Sequence, residues 1–352
     1  MTKRVKKLKF QAQVIHSAQW NRNHLNGILN DARSKRILVI GDLGIDRYTI
    51  GSVERISPEA PVPIVLVQEE KHKLGLAANV ADNIKALGAE PFLVGVVGKD
   101  RRAEDFRDLL KASQIKATYL ITDPSRGTAL KERIVSDRQQ IVRIDYESSH
   151  PVSIATEKKI LSKFKALIRS VDGVIVEDYA KGILTASLIQ SVFSLCRKFN
   201  KPVVVDPNLK TPLSHYTGAD LLTPNRPEAE QLSGVLIHDD ESLAEAGFKL
   251  LKLTKAKFII ITRGKEGMAV FTQKSSRIQL IPTYAREVYD VSGAGDTVIA
   301  VLMLALTAGA SIEEAAVLGN IAAGIEVGKR GTATVTPNEI RLALEYFEAL
   351  QI

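Results

Sequence analysis

The sequence predicts an α/β protein with three layers, in which helices cover both faces of a mostly parallel central sheet. Short apolar runs, most of them rich in Val and Ile, recur along the chain at 36–41, 92–97, 173–177, 202–206, 221–223 and 258–262. Stretches with apolar residues at helical spacing alternate with these runs or follow them, at 76–87, 105–113, 154–171, 184–200, 241–254, 294–308, 312–327 and 337–349. Short, fully apolar runs are typical of strands buried on both faces, and their alternation with helices is typical of parallel sheets.

Two parts of the chain interrupt this alternation. Residues 48–70 and 117–146 carry strand patterns without intervening helices. Such insertions predict a small antiparallel sheet outside the main one, used as a lid over a site; a simple extension of the main sheet edge is the alternative. The predicted organisation is therefore a basic extension, 1–34, followed by one domain, 35–352.

Composition narrows the class of protein. Hydrophobic residues make up 45% and charged residues 25% of the 352 residues, which is enough to bury a sizeable core. The single cysteine, Cys196, excludes a disulfide framework and is predicted to be a buried helix residue. The sequence has neither an apolar run long enough to span a membrane nor a secretory signal pattern, so we expect a cytoplasmic protein.

The net charge of +8 belongs to the start of the chain. Residues 1–36 hold nine Lys and Arg against one acid, Asp31, and the rest of the chain is balanced. A basic segment of this kind can bind nucleic acid or an anionic surface, but a solvated, partly helical tail is favoured here. We expect no nucleic acid to bind the main domain.

The strongest motif is Asp-Val-Ser-Gly-Ala-Gly-Asp at 290–296. Gly293 and Gly295 allow a tight turn, and the helix that begins there would offer free N–H groups to phosphate oxygens. A carboxylate would repel phosphate, but it makes sense at this position if Asp296 accepts a proton from an acceptor hydroxyl during phosphoryl transfer. The alternative is that Asp296 only caps the helix.

Two further polar loops follow apolar strands. Asn225 and Glu228 could orient the water shell of Mg²⁺, or could form a helix capping box, or both. Thr262, Gly264 and Gly267 lie where open α/β sheets bind ligands, although a hairpin turn explains them equally well.

Other polar residues at strand ends are candidates for binding a sugar. Asp46 and Asn79 could hydrogen-bond hydroxyl groups, and Lys181 could meet a phosphate, although each alone is more often a turn, cap or solvated residue. Five such loops follow buried strands and would meet at one edge of the sheet. This convergence favours a kinase that acts on a sugar.

These segments together resemble the ribokinase-like (pfkB) family of carbohydrate kinases, from about residue 36 to the end of the chain. The resemblance implies ATP and Mg²⁺ as cofactors, with K⁺ as a further cation. It assigns Asp296 as the catalytic base and the backbone of 293–295, including Ala294, as the anion hole. The remaining implied roles are sugar and substrate binding by Asp46, Gly75, Asn79 and Asp178; Mg²⁺ binding through water by Asn225 and Glu228; nucleotide binding by Thr262, Gly264, Gly267, Asn320 and Gly324; and a monovalent cation at Asp290 and Ser292.

Within the family, the segments 55–63, 77–81, 140–145, 178–182 and 328–335 are most similar to the branch that phosphorylates a heptose 7-phosphate for lipopolysaccharide synthesis. That branch implies cations for the substrate phosphate, for which Arg133, Arg143 and Lys181 are the candidates, and a homodimer formed through the lid. A kinase for another sugar and a non-catalytic binding protein on the same fold remain as alternatives. Leu76 departs from the family, which has glycine there, and would be costly if the position needs a positive φ.

Overall fold

The computed structural model describes residues 11–15, 20–136, 139–285, 287–329 and 331–350. The chain divides into two compact units. The terminal unit combines residues 1–34 with 202–352, and the central unit is 35–201.

The described strands are β1 (Gln11–Val14), β2 (Arg36–Gly41), β3 (Leu43–Ile56), β4 (Pro63–Leu76), β5 (Glu90–Val97), β6 (Leu120–Thr122), β7 (Ala129–Ser136), β8 (Gln139–Tyr146), β9 (Gly173–Glu177), β10 (Val203–Asp206), β11 (Leu221–Leu222), β12 (Phe258–Thr262), β13 (Met268–Thr272) and β14 (Arg277–Ile281). The described helices are α1 (Arg22–Ala32), α2 (Ala77–Ala86), α3 (Arg101–Ala112), α4 (Ile154–Leu167), α5 (Ala186–Lys198), α6 (Arg226–Ser233), α7 (Asp240–Thr254), α8 (Ala294–Thr307), α9 (Ile312–Glu326) and α10 (Pro337–Leu350).

In the central unit the main-sheet strands run in the order β9-β2-β5-β6, and all neighbours are parallel. The interior residues of β2 and β9 are fully buried, as their apolar runs predict. In the terminal unit the order is β1-β14-β13-β12-β11-β10. There β10, β11 and β12 are parallel, whereas β13 is antiparallel to both of its neighbours. The predicted α/β class with a mostly parallel main sheet is confirmed.

A separate four-stranded sheet of the central unit has the order β4-β3-β7-β8. It consists of two antiparallel hairpins, β3–β4 and β7–β8, joined by a parallel pairing of β3 with β7. The predicted second sheet is therefore present, with long hairpin strands. One expectation is wrong in detail: β6, which lies within the predicted insertion 117–146, pairs in parallel with β5 instead of joining the small sheet.

The described part of the N-terminal extension is packed into the terminal unit. β1 pairs in parallel with β14, and α1 contacts α8 and α10. Leu25, Ile28 and Leu29 of α1 are buried, because its apolar residues share one face. The expectation of a solvated tail is therefore wrong for these residues. The basic residues Lys3, Arg4, Lys6, Lys7 and Lys9 lie outside the described residues.

Cys196 is buried in α5, as predicted. In the part of the chain that the structure describes, no helix has both the length and the apolar character needed to cross a bilayer.

Candidate active site

The terminal unit contains a cavity of about 330 Å³ that brings together residues from three separate motifs of the sequence. Its wall is mostly apolar, with Val288, Val291, Val298, Ala323 and Val327 among the lining residues. The predicted site residues that line it are Thr262, Gly264, Gly267, Ala294, Gly295, Asn320 and Gly324. An apolar slot with a few polar groups at one end is the usual form of a small-molecule site.

Two glycines of the cavity have backbone conformations that other residues rarely adopt. Gly267 has a φ of 81°, and a Cβ there would overlap the carbonyl oxygen of Ile281. Gly264 has a φ of 56°, but a Cβ there would meet nothing within 4 Å. The loop that carries Gly264 and Gly267 is the turn between β12 and the antiparallel β13. The same residues therefore form a hairpin turn, as one interpretation of the sequence predicts, and line the cavity, as the other predicts.

The helix α8 begins at the edge of this cavity. Its N-cap is Gly293, in a left-handed conformation with a φ of 97°, and no side chain caps the helix. Asp296 is the third residue of the helix and is only 6% exposed. The interpretation of Asp296 as the N-cap is therefore wrong. The first N–H groups of α8 instead lie beside a buried carboxylate, an arrangement that can place an anion next to a proton acceptor.

Asp206, at the end of β10, is a second carboxylate near the start of α8 and was not singled out in the sequence. A Cβ placed on Gly295 would lie 3.8 Å from Asp206 Oδ2. The hydroxyl of Thr223 donates to Asp206 Oδ1 at 3.1 Å, which fixes the orientation of the carboxylate. The signal that could have found it is the one that selected Asp46: a carboxylate directly after a buried strand.

Asn225 and Glu228 form a capping box at the start of α6. The Glu228 N–H donates to Asn225 Oδ1 at 3.0 Å, and the Asn225 N–H donates to Glu228 Oε2 at 2.8 Å. Burial raises the pKa of Glu228, although the hydrogen bonds from Asn225 act in the opposite direction. Asn225 also forms a parallel bridge with Thr262, so this loop adjoins the wall of the cavity.

The residues predicted for a monovalent cation and for the nucleotide have local partners. Asp290 Oδ1 accepts the Ser292 N–H at 2.9 Å, which shapes the turn before α8. Asn320 is buried, and its Nδ2 donates to the Pro282 carbonyl oxygen at 2.5 Å. Asn320 therefore holds the backbone of the cavity wall. Among the described residues, no three His, Cys, Asp or Glu side chains are grouped to hold a metal ion directly.

In the central unit, Asp46 lies on β3 and pairs with Arg133 of β7. Arg133 Nη1 donates to Asp46 Oδ1 at 2.6 Å, and both side chains are largely buried. A Cβ on Gly75 would lie 2.8 Å from Asp46 Oδ2, so glycine at position 75 makes room for this carboxylate. The sequence predicted all three as site residues without indicating that they contact one another.

Leu76 joins β4 to α2 with a φ of 57° and a ψ of −140°, a region that glycine adopts readily and other residues rarely. Its side chain is 4% exposed, so packing holds the strained backbone in place. This is the conflict expected when leucine replaces glycine at a position with a positive φ. Asn79, one turn into α2, is also buried.

The loop after β9 carries Asp178 and Lys181. Asp178 Oδ1 accepts the Ala180 N–H at 2.8 Å, and Lys181 Nζ donates to Glu147 Oε1 at 2.6 Å. Arg143, on the exposed β8, forms two 3.0 Å hydrogen bonds with Asp145. All three cations predicted to bind a substrate phosphate are thus paired with carboxylates, and their role in phosphate binding stays a prediction.

A helix start that can bind an anion, a buried carboxylate and an apolar cavity with glycine loops are the parts of an enzyme that transfers a phosphoryl group. The comparison with known families agrees: the model described as "pfkB family carbohydrate kinase" matches residues 34–339. The chain belongs to the pfkB family of carbohydrate kinases, and the prediction of a sugar kinase is confirmed.

Individual relatives support the same assignment. The bifunctional protein HldE of Geobacter sulfurreducens is 44% identical over 319 residues, which cover 91% of this chain and 65% of that protein. The chain therefore spans about two thirds of the length of this relative. The structure of Arabidopsis thaliana ribokinase complexed with ribose and ATP has a TM-score of 0.70 at 20% identity, and covers 89% of this chain and 99% of its own. The structure of phosphofructokinase-2 from Escherichia coli in complex with potassium has a TM-score of 0.74 at 16% identity. The match covers 89% of this chain and 99% of the phosphofructokinase chain. At these identities the two structures show the fold alone.

Proposed function

We propose that this chain transfers the γ-phosphoryl group of ATP to the anomeric 1-hydroxyl of D-glycero-β-D-manno-heptose 7-phosphate. The products are heptose 1,7-bisphosphate and ADP, which would serve the synthesis of the lipopolysaccharide core. The observation that carries the kinase part of the proposal is the start of α8, where Ala294 and Gly295 line the cavity and the buried Asp296 follows them in the chain.

The choice of substrate rests on the sequence. Five segments resemble the heptose 7-phosphate kinases, and 55–63 and 328–335 are the most specific of them. The 44% identity to the bifunctional protein HldE extends over 91% of this chain, which supports a function shared with the kinase part of that relative.

The proposed reaction assigns one role to each group at the start of α8. Asp296 accepts the proton of the 1-hydroxyl while that oxygen attacks the γ-phosphorus of ATP, and the bond from phosphorus to the β-phosphate oxygen breaks to release ADP. The N–H groups of Ala294 and Gly295 stabilise the charge on the transferring phosphoryl oxygens. The apolar cavity walls suit a nucleobase, with Gly264, Gly267 and the Asn320–Gly324 turn of α9 along its border.

The residues present also fit the expected cations. Glu228 is a carboxylate whose pKa is raised by burial, so a nearby Mg²⁺, held through water, would offset the cost of its charge. Mg²⁺ would neutralise the phosphate charges when bound. Asp290 and Ser292 would contribute oxygen ligands to K⁺.

We assign sugar recognition to Asp46, Gly75, Asn79 and Asp178 of the central unit. The Asp46 carboxylate is buried and oriented by Arg133, which suits it to select hydroxyl groups by hydrogen bonding. For the substrate phosphate, Lys181 is the favoured cation, because it shares a loop with Asp178 and that loop is held by several hydrogen bonds.

We also propose a homodimer in the cytoplasm, where ATP is available. Support for the dimer comes from the β3–β4 hairpin, which exposes the apolar side chains of Ile56 (61%), Leu66 (61%) and Val67 (51%). Exposed apolar side chains on a long hairpin favour a protein interface. Light scattering on the protein and on a Leu66→Glu variant tests it, since a monomeric wild type would remove the proposal.

The test of function is a comparison of substrates. Purified protein is supplied with ATP and Mg²⁺ and with heptose 7-phosphate, ribose or fructose 6-phosphate, and ADP release and the ³¹P spectrum of the product are recorded. We expect heptose 7-phosphate to give the highest kcat/KM and a product phosphorylated at C1. A preference for an unphosphorylated sugar would show a different kinase of the family, and no turnover with any sugar would favour a non-catalytic binding protein.

A further inference from the structure

Asp42 is a buried carboxylate between β2 and β3 that the proposed reaction does not use. It is 1% exposed. Its Oδ2 accepts the N–H groups of Tyr179 at 3.1 Å and Lys181 at 3.0 Å, and its Oδ1 lies 3.4 Å from the N–H of Ile183. Three N–H groups of one loop, at alternate positions, therefore converge on a single side chain.

This loop, residues 178–183, is the one that carries Asp178 and Lys181, and we call it the substrate loop. Arg126 holds it from another direction, because its Nη1 donates to the Lys181 carbonyl oxygen at 3.0 Å and its Nη2 to the His150 carbonyl oxygen at 2.6 Å. The Val152 N–H donates to the Gly182 carbonyl oxygen at 2.9 Å. The loop needs such support, since Ala180 has a φ of 54°.

Asp42 also connects the loop to the helix start at Leu76. Its backbone carbonyl oxygen accepts the N–H of Ala77, the first residue of α2, at 3.0 Å. One residue thus fixes the substrate loop through its side chain and the start of α2 through its backbone. Both segments contain residues assigned to sugar recognition.

We propose that Asp42 is a positioning residue that fixes the backbone of the substrate loop so that Asp178 and Lys181 meet the sugar phosphate. Its contribution to catalysis rests on the function proposed above. The contribution to loop structure does not, because it follows from the three N–H contacts. The carboxylate provides what this loop requires: two oxygens, both acceptors, pointing at donors on both sides. An asparagine can present its oxygen to only one side, and its NH₂ group would face the other N–H groups.

The protonation of Asp42 provides a test in the unaltered protein. Burial raises the pKa of Asp42 to about 6; the neighbouring Asp178 carboxylate acts in the same direction, and the N–H groups of the loop oppose it. The other ionisable groups around it are Arg126, whose charge interacts with Asp42, and Glu177 on β9 next to Gly41. Below pH 6 the carboxyl takes up a proton and loses acceptor capacity, so the substrate loop should loosen.

The experiment compares the wild type with Asp42→Asn and, as a matched control, Asp172→Asn. Asp172 is in the same unit and accepts only the Arg36 N–H, at 2.8 Å, away from the substrate loop. Hydrogen exchange of peptides covering 178–184 is measured by mass spectrometry at pH 5.0 and 7.5, and the KM values for heptose 7-phosphate and ATP are measured from pH 5 to 8. The substrate phosphate also titrates in this pH range, but it does so equally in all three experiments. A difference between the pH profiles of KM therefore reports the effect of Asp42.

We expect faster exchange of the loop peptides in Asp42→Asn at pH 7.5, and a KM for the sugar phosphate raised about tenfold with the KM for ATP changed less than about twofold. As the pH falls through about 6 and Asp42 takes up a proton, the exchange rate of the wild-type loop should approach that of Asp42→Asn. Loop exchange that is equal in the two proteins at both pH values would overturn the proposal, as would equal changes in both KM values. If Asp42→Asn does not fold, the wild type compared with Asp172→Asn across the same pH range decides the matter. If no sugar phosphate is turned over, the proposed function fails while the exchange data still test Asp42.

Discussion

Arg133 and Asp46 form an ion pair with a donor–acceptor distance of 2.6 Å and with only 12% and 7% of the two side chains exposed. The guanidinium of Arg133 also lies over the ring of Tyr48, 5.3 Å from its centroid. The sequence suggested Arg133 as a ligand for the substrate phosphate and Asp46 as a ligand for a sugar hydroxyl. In the structure, Arg133 instead orients the carboxylate of Asp46.

Loss of this cation should destabilise the fold. We expect Arg133→Gln to lower the free energy of unfolding by about 3–5 kcal/mol, because Asp46 is left as a buried, unpaired carboxylate. Urea unfolding of the variant measures this change. The control is Arg143→Gln, which removes the exposed pair with Asp145 and should cost less than about 1 kcal/mol. If wild type and Arg133→Gln are equally stable and the variant has a higher KM for the sugar phosphate but not for ATP, Arg133 is instead a substrate ligand.

Removing the Asp296 carboxylate should affect chemistry and leave nucleotide binding intact. We expect Asp296→Asn to lower kcat by about 10²–10⁴-fold, because the proton acceptor is lost. The helix should persist, since its N-cap is Gly293 and not Asp296. Single-turnover kinetics and ATP calorimetry measure the two effects separately. A variant with near-normal kcat would remove Asp296 from its proposed role.

The strain at Leu76 can be separated from its packing by two substitutions. Leu76→Ala and Leu76→Gly both remove the buried side chain, but only glycine relaxes a φ of 57°. We therefore expect Leu76→Gly to be more stable than Leu76→Ala by about 1 kcal/mol, the reverse of the order at an ordinary helix position. Thermal unfolding of the pair measures the difference. Greater stability of the alanine variant would mean that the backbone at this position is not strained.

Gly264 and Gly267 form a matched pair in the wall of the cavity. Gly264→Ala should cost only about 1 kcal/mol, from its positive φ, because the space around it is open. Gly267→Ala should cost considerably more and should weaken ATP binding, because its Cβ would overlap the Ile281 carbonyl oxygen. Unfolding curves and ATP titrations of both variants compare the two sites. Similar values for the two variants would contradict the geometry of the cavity wall.

Glu228 gives a prediction for pH dependence. Its pKa is raised in the folded protein, so folding favours the protonated carboxyl. Its contribution to stability is therefore lost as pH rises from the ordinary value of 4.5 through the raised pKa. We expect this slope to be smaller in Glu228→Gln, and to be smaller in the wild type when Mg²⁺ and ATP are bound. Unfolding from pH 4 to 7 tests both expectations. Identical slopes in the two proteins would contradict the raised pKa of Glu228, and a wild-type slope unchanged by Mg²⁺ and ATP would count against a cation site near Glu228.

The sequence by itself predicted the strands β2, β5, β9, β10, β11 and β12, most of the helices and most of the candidate site residues. Short apolar runs such as 173–177 are typical of buried strands, and the spacing of Asn225 and Glu228 is typical of a capping box. The signature at 290–296 also predicts a helix start for binding phosphate. These features depend on residues close together in the chain, so a local pattern is enough to recognise them.

Only the tertiary structure decided which of these residues have partners far away in the chain. The pairing of Asp46 with Arg133, the approach of Gly75 to that carboxylate, and the convergence of the 179–183 backbone on Asp42 all join separate segments. Strand pairing and burial bring these groups together, and neither can be read from the spacing of residues. The same reason explains why β6 was assigned to the wrong sheet and why α1 was expected in solvent: the number of residues between two segments does not fix which surface each one covers.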